Sequence, residues 1–328
     1  MSDLAGLAES VAVDPLVGHP ADYHVFHQFL ERCKELPAIT TAVVWPLSDV
    51  ALRGAVEAAE EDLILPTLIG DEADMKALAA KIGVDISPYP ILQADTERKA
   101  AELGVCMCRA GGGAQAMMKG SLHTDELMKV AMKSETGLRT SRRISHVFVM
   151  DTPAYPRTLL ITDAAINIEP ELEDKVHIVQ NAIDLAHALG IPEPKVALLS
   201  AIETVNTKIR STLDAAALCK MADRGQITGG ILDGPLAFDT AVSAKAAKIK
   251  GLISPVTGQA DILVVPDLES GNMLAKQLEY LGGAQLAGIV LGARVPTILT
   301  SRADSAETRL TSCAVAVLLH YAEHPLGS

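Results

Sequence analysis

Aromatic residues make up only 3% of this 328-residue chain, so its core must rest on Ala, Val, Ile, Leu and Met. Cysteine is also scarce. Cys33, Cys106, Cys108, Cys219 and Cys313 are too few and too irregularly spaced for a disulfide framework. Cys106 and Cys108 form C-x-C with no second pair, and the expectation is reduced thiols in a cytoplasmic protein. Positive charge is in deficit. Lys plus Arg number 28 against 41 Asp plus Glu, giving −13, which does not suit a nucleic-acid or anionic-membrane surface. No apolar run approaches the ~20 residues that span a bilayer, and the N-terminus lacks the basic start and apolar run of a signal peptide.

Several motifs are missing as well. There is no G-x-x-x-x-G-K-[ST]; in MMKGS, Lys119 precedes Gly120, the reverse of a Walker A loop. Gly111–Gly113 does not satisfy G-x-G-x-x-G, and neither H-E-x-x-H nor G-x-S-x-G occurs. His24 and His27 stand three apart near His19 and Asp22, but nothing completes a ligand set, so no metal site is expected.

Hydrophobic residues make up 49%, which excludes disorder. A chain this long buries roughly 75% of its unfolded surface and suggests about two domains. The apolar pattern alternates. Strands are predicted at 40–45, 63–69, weakly at 86–92, then at 114–118, 146–150, 158–161, 195–200, 228–232, 261–265, 286–291 and 296–299. Helices are predicted between most of them, at 48–60, 74–82, 95–103, 124–133, 173–189, 204–224, 240–250, 269–281 and 306–321. Short apolar strands between helices imply a mostly parallel sheet covered on both faces, in two α/β units around a cleft. Ligands bind beyond the carboxyl ends of such strands, which points to the loops beginning near Lys119, Thr162, Ser200, Asp233, Pro266 and Thr300.

Four segments carry polar chemistry there. Lys119–Thr124 (KGSLHT) sets a glycine and hydroxyls before a helix; such a start can hold an anion or simply cap the helix. Pro266–Asn272 (PDLESGN) is a turn into a helix whose Asp267 can cap and whose Asn272 can face the cleft. Thr300–Thr308 (TSRADSAET) opens the last helix. Arg302 there opposes the helix dipole, which a bound phosphate would offset. Lys119–Arg143 holds Lys119, Lys129, Lys133, Arg139, Arg142 and Arg143 against three acidic residues, a local positive stretch in an acidic chain.

KGSLHTDELMKVAM (119–132), TGLRTSRRISHVFV (136–149), ITDAAINIEPELEDK (161–175), KVALLSAIETVN (195–206), DGPLAFDTAVS (233–243), ADILVVPDLESGNMLAKQL (260–278) and GARVPTILTSRADSAE (292–307) together resemble the phosphate acetyltransferase/phosphate butyryltransferase family. The likeness spans about residues 36–325 and is greatest to the version found fused to an enoyl-CoA hydratase domain. It implies the reversible reaction acyl-CoA plus phosphate to acyl phosphate plus CoA in a ternary complex, with no metal or redox cofactor. Acyl-CoA/CoA and inorganic phosphate are the implied partners, with no nucleic acid or membrane, in a homodimer. The implied fold is two three-layer α/β/α domains of the isocitrate/isopropylmalate dehydrogenase type. The second (142–286) is inserted into the first (1–141 plus 287–328), with the active site in the cleft between them.

The resemblance also implies roles. Ser301 would bond the acyl or sulfur region and Arg302 the phosphate. Gly120, Ser121, His123 and Thr124 would complete the phosphate cradle, Asn272 would line the cleft, and Arg139, with Arg142 and Arg143, would meet phosphate or CoA. Better-known acetyltransferases place a basic aspartate seven residues after the serine. Thr308 stands there in this chain, leaving Glu307 and Asp304 as candidate bases for a thiol of ordinary pKa near ~8.5. Acyl chain length and reaction direction stay open. Two other readings remain: an isopropylmalate-dehydrogenase-like NAD-dependent oxidoreductase, which would need a metal-binding aspartate cluster, and a CoA-binding protein that has lost catalysis.

Overall fold

The computed structural model describes residues 24–299 and 306–326. Eleven strands among them form one sheet in the order β3-β2-β1-β4-β11-β10-β5-β6-β9-β7-β8. Its first half comprises β1 (Ile39–Val44), β2 (Ile64–Gly70), β3 (Ile91–Gln93), β4 (Ala116–Lys119) and β11 (Thr297–Ile298), all mutually parallel. Its second half comprises β6 (Tyr155–Thr162), β7 (Lys195–Leu199), β8 (Ile231–Leu236) and β9 (Ile262–Val264), also mutually parallel. Between them β5 (Ser145–Thr152) and β10 (Gln285–Leu291) pair antiparallel with each other and with their outer neighbours β6 and β11. The mostly parallel α/β architecture follows the sequence pattern.

The direction of the strands does not follow the expectation of one shared row of loops. Three successive antiparallel pairings reverse the second half relative to the first. The loops after Lys119 and Leu299 therefore leave the sheet one way, and those after Thr162, Leu199, Val264 and Leu236 leave it the other. The first direction is called here the carboxyl edge of the first half, and the second its amino edge.

Helices cover both faces: α1 (His24–Cys33), α2 (Asp49–Glu60), α3 (Glu72–Ile82), α4 (Glu97–Met107), α5 (Thr124–Ala131), α6 (Leu172–Ala188), α7 (Arg210–Asp223), α8 (Phe238–Val242), α9 (Ala244–Ile249), α10 (Leu268–Tyr280) and α11 (Ala306–Glu323). Their starts follow the sequence. Ser48, Asp71, Thr96 and Asp267 each accept an N–H of the helix they precede. Gly83, at φ +71°, closes α3 in the left-handed conformation. The predicted helix 204–224 begins only at Arg210, because Asn206 turns the chain onto Lys208 N–H and bonds Thr212. The predicted helix 240–250 splits at Ser243, whose hydroxyl caps α9. Pro88 and Pro90 shorten the weak strand to β3.

The apolar stripe of α11, from Cys313 to Leu319, is core, packed against α1, α2 and β10. Every residue of β5 is buried. On it His146 packs edge-on to Phe148 with ring centroids 4.4 Å apart, and neither ring nitrogen has a hydrogen-bond partner among the described residues. Burial pushes its pKa down to about 3, so the ring is neutral near pH 7. His19, Asp22 and the His24 side chain lie outside the described residues. No group of three or more His, Cys, Asp or Glu fit to hold a metal occurs among those described. No described helix is long and apolar enough to cross a membrane.

Candidate active site

The carboxyl edge is built around the end of β4. Register pairs Thr297 with Met117 and Ile298 with Met118, so the chain leaving β11 toward residues 300–305 starts beside Lys119. On its other side β4 pairs with β1, Val44 opposite Lys119. The residue after β1, Trp45, sits at φ +57°, a left-handed conformation costly for an aromatic side chain. The two strand ends are strapped together. Gly120 N–H donates to Val44 O (2.8 Å), Ser121 N–H donates to Trp45 O (2.8 Å), and the Ser121 hydroxyl donates to Trp45 O (2.9 Å) while accepting Leu47 N–H (3.2 Å).

This assigns two predicted cradle residues a different task. Gly120 is glycine because backbone passes so close: a Cβ there would meet Trp45 O at 2.3 Å and Val44 O at 2.5 Å. Ser121 spends its hydroxyl on the strap. Together they fix the turn that presents α5, whose cap residue His123 makes no side-chain bond to the helix. His123 is exposed and Thr124 half-buried, so the first turn of α5 faces outward from this edge. Lys119, missed as a site residue in its own right, is buried there, its ammonium donating to Gly120 O and Leu122 O at 3.2 Å each. Its signal in the sequence was a lysine closing an otherwise apolar strand. A buried ammonium and a helix start together make this turn favourable for an anion. Asp125 and Glu126 oppose that, but both bond Lys129, which holds the exposed Asp125 carboxyl below its usual range, helped by a coulombic contribution from the same lysine.

Ser301, Arg302 and Asp304 lie outside the described residues. Glu307 is exposed in the first turn of α11, and Thr308 beside it is half-buried, its carbonyl accepting the Ser312 hydroxyl.

The remaining predicted residues are not brought to this edge. Arg139 bridges to Ala293, just past the end of β10, at the amino edge. Arg142 pairs there with Asp184 (3.2 Å), and Arg143 pairs with Asp174 (2.9 Å) and donates to Asn167 (2.8 Å). Asn272 follows β9, on the opposite-running half, and donates to Ala164 O (3.2 Å). The physical reason is the route of α5, which carries the chain from one end of β4 back toward the other before β5 begins. Local charge marked these residues as anion-binding; strand direction separates them from the Lys119 turn.

Comparison with known proteins resolves the class. Residues 93–317 match the family described as "Phosphate acetyl/butaryl transferase". A phosphate acetyltransferase of Rhizobium meliloti is 60% identical over 284 residues, covering 87% of this chain and 89% of that protein. The chain belongs to the phosphate acetyl/butyryl transferase family. A phosphate butyryltransferase of Clostridium beijerinckii is 41% identical over 90% of this chain and 97% of its own. A branched-chain phosphotransacylase from Enterococcus faecalis superposes with TM-score 0.75 at 32% identity, covering 86% of this chain and 99% of its own. The oxidoreductase reading gives way to these matches.

Proposed function

We propose that this protein transfers an acyl group between CoA and inorganic phosphate at the carboxyl edge of the first half of the sheet. Family membership supports the reaction. One geometric observation supports the location: the Ile298–Met118 register, which sets the end of β11, followed in the sequence by Thr300–Thr308, beside the end of β4.

In the direction of thioester synthesis, a base takes the CoA thiol proton and the thiolate attacks the carbonyl carbon of the acyl phosphate. The C–O bond to phosphate then breaks and phosphate leaves with its electron pair. Arg302 and the start of α5 at His123 and Thr124 hold the phosphate by charge-assisted bonds, with Lys119 adding positive potential behind them. Ser301 donates to the developing oxyanion. Glu307, exposed on α11, or Asp304 accepts the thiol proton. Both substrates occupy one ternary complex, so proximity supplies part of the rate, and the step needs neither metal nor redox cofactor. Gly120 and Ser121 shape the turn rather than touch substrate.

On this reading the chain divides into two α/β units of the dehydrogenase-like type, 1–141 with 287–328 and an inserted 142–286, and works as a cytoplasmic homodimer. The relatives' names span acetyl and butyryl groups. Thiol release from acetyl-, propionyl-, butyryl- and longer acyl-CoA, with and without phosphate, tests the proposal. The expected result is release that depends on phosphate. CoA binding without release at any chain length would instead favour a protein that has lost catalysis.

A further inference from the structure

One arginine of the positive segment, Arg139, meets two arginines from other parts of the chain at the amino edge. Arg53, Arg98, Arg142, Arg143, Arg157 and Arg210 each lie within ion-pair distance of a carboxylate. Arg109, Arg139 and Arg294 do not, among the described residues, and all three line one cavity of about 350 Å³ at the amino edge of the first half. Three chain segments deliver them. Arg109 follows α4, Arg139 lies between α5 and β5, and Arg294 lies between β10 and β11. Backbone contacts hold the segments in place: Arg294 N–H donates to Leu138 O (2.9 Å), Arg139 bridges to Ala293, and the Arg109 guanidinium donates to Glu135 O (3.3 Å).

Among the described residues Glu135 is the one acidic residue lining the cavity, against three arginines, in a protein of net charge −13. All three arginines are exposed, and together they give a multiply charged anion a favourable local potential. Guanidinium forks match phosphate oxygens bidentately. The cavity size also suits a small ligand. The Gly111–Gly112 turn lines the opening, with Gly111 in the left-handed region (φ +84°).

We propose that this cavity is a second anion site, separate from the acyl-transfer edge, which takes a chain of phosphate groups, either free or as the triphosphate of a nucleotide. Cys106 supplies the readout. It lines the same cavity and is exposed, whereas Cys33, Cys108 and Cys313 are buried and Cys219 is half-buried.

The experiment follows iodoacetamide alkylation of Cys106 by peptide mass spectrometry in the full chain, titrated with tripolyphosphate, ATP or adenosine 3′,5′-bisphosphate. Saturable protection by tripolyphosphate is expected; equal protection by ATP makes the phosphate chain the recognised part, and tighter ATP protection adds the nucleoside to it. The variant Arg109→Ala/Arg294→Ala is expected to weaken protection by roughly tenfold or more, with phosphate-dependent thiol release unchanged. Because alkylation reads binding without turnover, failure of the acyltransferase reading would not disturb this result. No protection by tripolyphosphate, or protection unaltered in the double variant, overturns the proposal. So does protection by adenosine 3′,5′-bisphosphate alone with a raised KM for CoA in the double variant, since the cavity would then hold the CoA nucleotide.

Discussion

The Lys119–Thr124 turn and the Arg139–Arg143 segment lie a few residues either side of α5, and both invite an anion by composition. They meet different fates. The first is strapped to the end of β1 and lies beside the exit of β11; the second sits at the other end of β4, where Arg142 and Arg143 find carboxylate partners. The contrast shows that side-chain chemistry nominates a residue, while strand direction decides what it can act with.

The widest expected gap between the two regions is in activity. Arg302→Ala should lower the rate of phosphate-dependent thiol release by roughly 10²–10³-fold, the usual loss on removing a charged partner of the reacting group, and raise the KM for phosphate. Steady-state kinetics checks both. A wild-type rate in that variant would remove the carboxyl edge from the mechanism.

Gly120→Ala probes the strap. Its Cβ would collide with two backbone carbonyls that cannot swing aside. A loss of about 1–3 kcal/mol of stability is expected, measured by urea unfolding, together with reduced turnover because the turn presenting α5 shifts.

His146 lies in the strand between the two edges and gives a pH signature. Its folded-state pKa, about 3, is below its unfolded value, so the unfolded chain binds the extra proton as pH falls through the mid-6 range. Its contribution is fully present above that range and lost progressively toward pH 3. By pH 5 the loss is of the order of 2 kcal/mol. Urea unfolding at pH 7 and pH 5 should show that loss, and His146→Leu should flatten it. An equal pH slope in the variant would mean that other groups carry the effect.

Arg142→Ala should do least. Its pair with Asp184 is well exposed, so stability should change by no more than about 1 kcal/mol, with the KM for phosphate unaltered. A large rise in that KM would return the amino edge to the reaction.

Much of this was legible in the sequence. The alternation of apolar strands and helices and the core stripe of α11 follow from periodicity. Glycine and lysine closing a predicted apolar strand marked the turn at the end of β4. Three features were not legible, each for want of long-range information. Gly120 answers to Val44 at the end of β1, 76 residues earlier, Ser121 spends its hydroxyl on Trp45, and Arg139 is carried to the other end of β4 by the run of α5, which no local pattern announces. The convergence of Arg109 and Arg294 is hidden for the same reason, since 185 residues separate them.

The most direct test is a crystal structure with acetyl phosphate bound. The phosphoryl oxygens are expected at the start of α5, near Thr124 N–H, with Arg302 reaching them from the segment after β11. Acetyl phosphate held by Arg142 and Arg143, with the Lys119–Thr124 turn empty, would contradict the account.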